Sequence, residues 1–305
     1  MTSDALSLLL ELARALPAVR MAVAHPCDAE SLRGALDARE QGLIDPILIA
    51  PLAKLQAVAE ASGQSLQGVH CIDVPHSHAA AEQAVQLARR GEVNALMKGS
   101  LHSDELLHAA LSSAGGLRTE RRVSHVFAME VPAYPKPLFI TDAAVNIEPD
   151  LLAKRDIVQN AIDLLHALGI VEPKVAILAA VETVNPAMRA TIDAAALCKM
   201  ADRGQISGGM LDGPLAFDNA ISADAARSKG IRSPVAGLAD ILLVPDLEAG
   251  NMLAKQLQYL AGARAAGIVL GLKVPIVLTS RADNAEARMA SCAIAKILAA
   301  RRVVA

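Results

Sequence analysis

Short β-rich runs, apolar on both faces, alternate with helical stretches along the whole chain, and that alternation leaves few folds open. The runs are Arg20–Ala24, Pro46–Ile49, Val69–Val74, Asn94–Met97, Val123–Met129, Pro137–Thr141, Lys174–Leu178, Asp240–Val244, Gly267–Leu270 and Pro275–Thr279. Strands that are apolar on both sides must be covered by helices on both sides, as in parallel α/β sheets. The intervening helical patterns, at 76–90, 104–113, 149–168, 186–201, 250–262 and 284–300, are long enough for right-handed crossovers. The chain therefore reads as α/β with largely parallel sheets. The exception is 123–141, where two strands separated by Glu130–Lys136 read as an antiparallel hairpin.

Composition narrows the function classes. A chain of 305 residues with 53% hydrophobic content can bury one large core or two medium ones. Its net charge of −3, with no basic run longer than a pair, gives no field suited to nucleic acid. Aromatic residues are 2% of the chain and tryptophan is absent, which argues against base-stacking platforms and aromatic cages. The first residues carry Asp4 and Glu11 and an amphipathic spacing instead of a signal-peptide pattern, and no apolar run reaches the roughly 18 residues of a membrane span. A soluble cytoplasmic protein is expected. Cys27, Cys71, Cys198 and Cys292 lack CxxC spacing and read as reduced thiols. Cys71, His76 and His78 have no further metal ligand at usual spacing, so no metal site is expected.

Functional residues of such sheets gather at the carboxyl ends of strands. After Asn94–Met97 comes Lys98-Gly99-Ser100-Leu101-His102, a glycine turn with a cation and hydroxyl groups that can hold a phosphate group. After Pro137–Ile140 comes Thr141-Asp142, with Asn146 close behind, and after Ile241–Val244 comes Pro245-Asp246, with Gly250-Asn251. Ser207–Asn219, containing Asp212, Gly213 and Asn219, reads as a polar segment, and the overlapping glycine-rich stretch Gly204–Gly213 reads as a mobile loop that lacks both nucleotide-binding glycine spacings. At the last strand, Pro275–Leu278 runs into a helix that opens with Ser280, Arg281 and Asp283. A capping hydroxyl, unpaired helix N–H groups and a planar guanidinium make an anion site there.

The strings Leu96-Met-Lys-Gly-Ser, Pro137-Leu-Phe-Ile-Thr-Asp-Ala-Ala-Val-Asn-Ile, Asp212-Gly-Pro-Leu-Ala-Phe-Asp-Asn-Ala, Pro245-Asp-Leu-Glu-Ala-Gly-Asn-Met and Thr279-Ser-Arg-Ala-Asp closely resemble the phosphate acetyltransferase and phosphate butyryltransferase family, from about residue 20 onward. The resemblance implies a two-domain α/β fold of the isocitrate/isopropylmalate dehydrogenase type with a cleft between domains. The first domain would comprise 1–139 plus 271–305. The second, 140–270, would join a homodimer. The implied reaction is acyl-CoA plus phosphate giving acyl phosphate plus CoA, with no cofactor and CoA as a substrate. Ser280 and Arg281 match the residues that handle the transferring group. Lys98, Gly99, Ser100, Asp142, Asp212, Asn219 and Asn251 are the expected substrate contacts.

Two positions depart from the family pattern. Where the acetyl enzymes carry an aspartate that takes the proton from the CoA thiol, seven residues after the serine, this chain has Ala287; Asp283 and Glu286 are the replacement candidates. The Ser-Arg-Ala-Asp form and the Lys-Gly-Ser loop look closer to the butyryl-type branch. The arginine expected at the CoA 3′-phosphate falls near His108, and Arg118, Arg121 or Arg122 are alternatives. Two rival functions stay open at this level: an NAD-dependent decarboxylating dehydrogenase of the same fold, and a non-catalytic CoA or acyl-phosphate sensor.

Overall fold

The computed structural model describes residues 5–113, 116–279 and 285–302. In chain order the elements are α1 (Ala5–Arg14), β1 (Val19–Ala24), α2 (Ala29–Glu40), β2 (Ile44–Ala50), α3 (Leu52–Ala61), β3 (His70–Asp73), α4 (Ser77–Arg89), β4 (Ala95–Lys98), α5 (Ser103–Leu111), β5 (Ser124–Glu130) and β6 (Leu138–Thr141). There follow α6 (Leu151–Ala167), β7 (Lys174–Leu178), α7 (Arg189–Asp202), β8 (Met210–Leu215), α8 (Phe217–Ile221), α9 (Ala223–Ser228), β9 (Ile241–Leu243), α10 (Leu247–Leu260), β10 (Arg264–Leu270), β11 (Ile276–Val277) and α11 (Ala285–Arg302).

These elements form two compact units. One is built from the described residues of Leu6–Arg121 and Ala266–Ala305, the other from Arg122–Ala265. The sequence reading had divided the chain at 139/140 and 270/271. The difference has a local cause: β5 pairs with β6 along Val126–Met129, so the hairpin goes whole into the unit that holds β6 and its parallel neighbour β9.

In the unit made from the two ends of the chain, the strand order is β3-β2-β1-β4-β11-β10. The pairs from β3 through β11 are parallel, and β11 is antiparallel to β10. That last pair adds an antiparallel contact which the sequence reading did not anticipate. The chain lays down β1, β2 and β3 in one direction and then returns to place β4 on the other side of β1. The reversal falls between the carboxyl ends of β1 and β4, and such a switch point is where ligands bind in open α/β sheets. Right-handed crossovers put α2 and α4 on opposite faces. Arg288, buried at 3% exposure, fixes the start of α11 on α2: its Nη1 lies 3.4 Å from Glu30, and its Cδ occupies the space that a Cβ on Gly34 would take.

The other unit has the order β5-β6-β9-β7-β8, antiparallel at β5/β6 and parallel elsewhere. Its core gathers Met129, Ile140, Ala176, Leu215, Val235 and Leu242. Of the stretch Gly204–Gly213, expected as a mobile loop, the last part, Met210–Gly213, belongs to β8, while 204–209 lie outside any helix or strand. Two of its glycines serve close packing: a Cβ on Gly213 would stand 2.7 Å from the Ile177 carbonyl oxygen, and one on Gly209 would stand 2.9 Å from Ile162 Cδ1. His76 caps α4 by accepting from the Ala79 N–H, and His78 sits in the first turn. Among the described residues no helix is long and apolar enough to cross a membrane.

Two outcomes follow from this packing. Gly213→Ala should destabilise the protein by about 1–3 kcal/mol, the usual cost of overpacking, read as a lowered urea midpoint. His125 on β5 is buried, its Nδ1 lacks a partner among the described residues, and its ring meets Phe127 edge-on at 4.4 Å. Burial pushes its pKa down from 6.5 to about 3. The unfolded chain therefore binds a proton near 6.5 that the folded chain refuses until about 3. This contribution to stability is whole above 6.5 and drains away as the pH falls toward 3. Urea midpoints measured across that range should fall for the native sequence, and less steeply for His125→Leu.

Candidate active site

The turn after β4 is built by contact with the turn after β1. Gly99 donates its N–H to the Ala24 carbonyl at 2.8 Å, and Ser100 donates its N–H to the His25 carbonyl at 2.8 Å. A Cβ on Gly99 would lie 2.5 Å from both of those carbonyl oxygens, so glycine is required there. His25 has φ +54°, a left-handed conformation that histidine adopts more readily than most residues but at a cost of about 1–3 kcal/mol. Three contacts hold it: Ser100 Oγ lies 2.8 Å from the His25 carbonyl oxygen and 3.0 Å from His25 Nδ1, and it accepts the Cys27 N–H at 3.2 Å. Burial, followed by the positive charge of Lys54, pushes the His25 pKa down, against the opposing pull of Glu105 and Asp28.

Lys98, the last residue of β4, is buried and donates to the carbonyl oxygens of Gly99 and Leu101 at 3.3 and 3.2 Å. His102 precedes α5, and its N–H donates to Glu105. Glu105 also accepts from Ser77 at 2.6 Å, and with that hydrogen bond as the main cause its carboxyl is held below the usual range. His102 thus has a local structural position. Three adjacent strands share one level at Val23, Met97 and Val277, so the chain leaves β11 at the same edge as His25 and Gly99. Ser280, Arg281 and Asp283 follow and lie outside the described residues.

Glu286 lies elsewhere. It lines a cavity of about 330 Å³ together with Leu10, Arg14, Asp37, Glu40 and Gln41, on α1 and α2, and no residue of the Lys98–Ser100 turn lines that cavity. Ala287 is buried and its carbonyl accepts the Ser291 hydroxyl.

In the other unit, Asp142 is buried and accepts four hydrogen bonds from its own turn: Ala144 N–H, Val145 N–H, Asn146 N–H and the Asn146 side chain. Burial pushes its carboxyl pKa up while these donors pull it down. Asn146 in turn donates to the Val123 carbonyl and accepts from Arg122 Nε at 2.7 Å. Asp142 therefore organises a turn, and its oxygens point inward. Gly250 lets α10 approach that turn, since a Cβ there would stand 2.7 Å from Val244 Cγ2 and 3.0 Å from the Asp142 carbonyl oxygen. Asn251, next on α10, donates to the Ala143 carbonyl at 3.3 Å. Asp212 sits within β8, not in a loop as expected, and accepts the Gly213 N–H. Asn219 differs from all of these. It is fully buried, and neither amide atom has a partner among the described residues, an arrangement that costs about 1–3 kcal/mol per group.

The structure brings the predicted Lys98–Ser100 turn against His25, a residue the sequence reading did not single out. The signal was a histidine immediately after an apolar strand, in His25-Pro26-Cys27-Asp28, and Asp28 accepts the Ser31 N–H to cap α2.

A doubly wound sheet with polar turns at its carboxyl edge is the architecture of a substrate-binding α/β enzyme. The family model described as phosphate acetyl/butaryl transferase matches residues 77–296, and the chain belongs to that family. It is 65% identical to a phosphate acetyltransferase of Rhizobium meliloti over 94% of this chain and 90% of that one. It is 41% identical to a phosphate butyryltransferase of Clostridium acetobutylicum over 92% of this chain and 93% of that one. Among solved structures, a branched-chain phosphotransacylase from Enterococcus faecalis superposes with a TM-score of 0.81 at 30% identity, covering 92% of this chain and 99% of that chain.

Gly99→Ala should abolish turnover and lower the melting temperature together, because the added methyl collides with backbone on β1 and cannot be accommodated by a rotamer change. Unaltered melting and kinetics would contradict the fit described for this turn.

Proposed function

We propose that the protein transfers a short-chain acyl group between CoA and phosphate: acyl-CoA plus phosphate gives acyl phosphate plus free CoA, reversibly. The observation that carries this reading is the family match over 77–296, which spans the Lys98–Ser100 turn at the β1/β4 switch point. We take acetyl as the preferred group. The leaning toward the butyryl-type branch rested on the Ser-Arg-Ala-Asp string, the Lys-Gly-Ser loop and Ala287, whereas a relative named as an acetyltransferase stands at 65% identity and one named as a butyryltransferase at 41%.

In this reading Arg281 binds phosphate through its planar fork, and Ser280 donates to the oxyanion of the tetrahedral intermediate, a contribution commonly worth a few kcal/mol per donor. Asp283 is assigned to the same segment on the resemblance. Lys98 and Ser100 contact substrate from the β4 turn. The two unpaired amide atoms of Asn219 support a ligand-contact role, while Asp142 and Asn251 are supported as residues that shape the turn beside it. Bringing both substrates together in line supplies much of the remaining rate. The chemistry needs no metal or prosthetic group, since the acyl group passes directly between thiol and phosphate. The finer description of the fold as isocitrate/isopropylmalate dehydrogenase-like, the homodimer and the cytoplasmic location belong to the same reading and rest on the resemblance.

CoA release from acetyl-CoA and from butyryl-CoA, followed with a thiol reagent, should depend on added phosphate and be faster with the acetyl donor. Arg281→Ala should raise the KM for phosphate and lower kcat. Binding of CoA without any phosphate-dependent release would point to a sensor and overturn the reading.

A further inference from the structure

With alanine at 287, the thiol base is unassigned in this chain, and Glu286 faces a cavity lined by α1 and α2. At the β1/β4 switch point, by contrast, the hydrogen-bond geometry around His25 determines which ring nitrogen carries the proton. Ser100 Oγ and the His25 carbonyl oxygen stand 2.8 Å apart. Two oxygens at that distance need a proton between them, and a carbonyl has none to give. The Ser100 hydroxyl must therefore donate to the carbonyl. It cannot also donate to His25 Nδ1 at 3.0 Å, so Nδ1 must carry the proton and donate to Ser100 Oγ. Ser100 Oγ then makes one donation and two acceptances, the second from the Cys27 N–H. The neutral ring is left with its lone pair on Nε2, the nitrogen that does not face Ser100.

We infer that His25 is the catalytic base for the CoA thiol, with Ser100 as the positioning residue that fixes its tautomer. The inference rests on the acyl-transfer reading given above. Several observations support it together. His25 stands at the carboxyl end of β1, where the order of strands reverses. Its backbone is held at φ +54° by contacts with the Gly99–Ser100 turn. Two strand spacings, about 10 Å, separate β1 from β11, whose chain continues into Ser280 and Arg281. A buried imidazole held neutral near pH 7 is suited to accept a proton from a thiol of pKa about 8.5.

In the direction of acyl-CoA synthesis, Nε2 takes the thiol proton as the S–H bond breaks, and the sulfur forms a bond to the acyl carbonyl carbon. The tetrahedral adduct collapses by cleavage of the carbon–oxygen bond to phosphate. The imidazolium returns its proton to the departing phosphate, which regenerates the neutral ring. No oxidant or reductant enters. Because the active form is the unprotonated one, turnover must fall as the pH drops through the His25 pKa. Lys54 on α3 moves that limb down, and Glu105 on α5 and Asp28 at the start of α2 move it up, with burial and Lys54 prevailing.

The test has two parts. In protein labelled with ¹⁵N at its eight histidines, long-range proton–nitrogen correlation at neutral pH should show His25 neutral with the proton on Nδ1, assigned by the change it undergoes in Ser100→Ala. A proton on Nε2, or a charged ring, would overturn the inference whatever the variants do. Acetyl-CoA formation from acetyl phosphate and CoA should then be followed against pH for the native sequence and for His25→Asn, which tolerates the left-handed backbone. The expected result is a kcat loss of about 100-fold or more, KM values little changed, disappearance of the acid limb, and partial rescue by added imidazole. Wild-type kcat, or an acid limb retained in the variant, would overturn it. An inactive wild type would instead sink the acyl-transfer reading itself, so the two failures are distinguishable.

Discussion

The contact between the backbone of Gly99 and the carbonyl oxygens of Ala24 and His25 is the constraint on which the site depends. Those oxygens would lie 2.5 Å from any Cβ placed at residue 99. Because glycine is there, the turn after β4 can donate two N–H groups into the turn after β1, and the serine that follows reaches the histidine ring. The same contact stabilises the left-handed backbone of His25, which would otherwise relax. A local steric fact is thereby converted into an oriented imidazole at the place where the strand order reverses.

The unit formed by Arg122–Ala265 solves a similar problem with charge and hydrogen bonds. Asp142 is removed from water at the end of β6, and its cost of burial is offset by four donors from the turn it organises. Through Asn146 the network reaches the Val123 carbonyl and Arg122 Nε, so the strand end, the turn and the start of the hairpin are fixed together. Asn219 is the exception in this region. Its buried amide atoms have no partner among the described residues, and nothing in this unit offsets their desolvation.

Much of this was legible in the sequence because the strands are apolar on both faces and short. Each of the ten runs identified falls on a strand, and the hairpin over 123–141 forms as expected. The Lys98-Gly99-Ser100 turn was legible as a tight turn at a strand end, since glycine directly after an apolar run marks one. β8 was not legible. Its glycines have the composition of a loop, and their purpose, letting β8 lie close against Ile177 and Ile162, exists only in three dimensions. The two-residue β11 kept its parallel partner β4 yet took β10 as an antiparallel neighbour, a choice that periodicity does not encode. His25 escaped notice for a related reason: its ring meets a serine 75 positions away in the chain.

The central claim is that substrates meet at the β1/β4 switch point. Hydrogen–deuterium exchange of the amides of Cys27, Gly99 and Ser100, measured with and without CoA and phosphate, tests it most directly. The account predicts slowed exchange at both turns when the substrates bind. Unchanged exchange there, with protection confined to the α1, α2 and α11 cavity around Glu286, would contradict it.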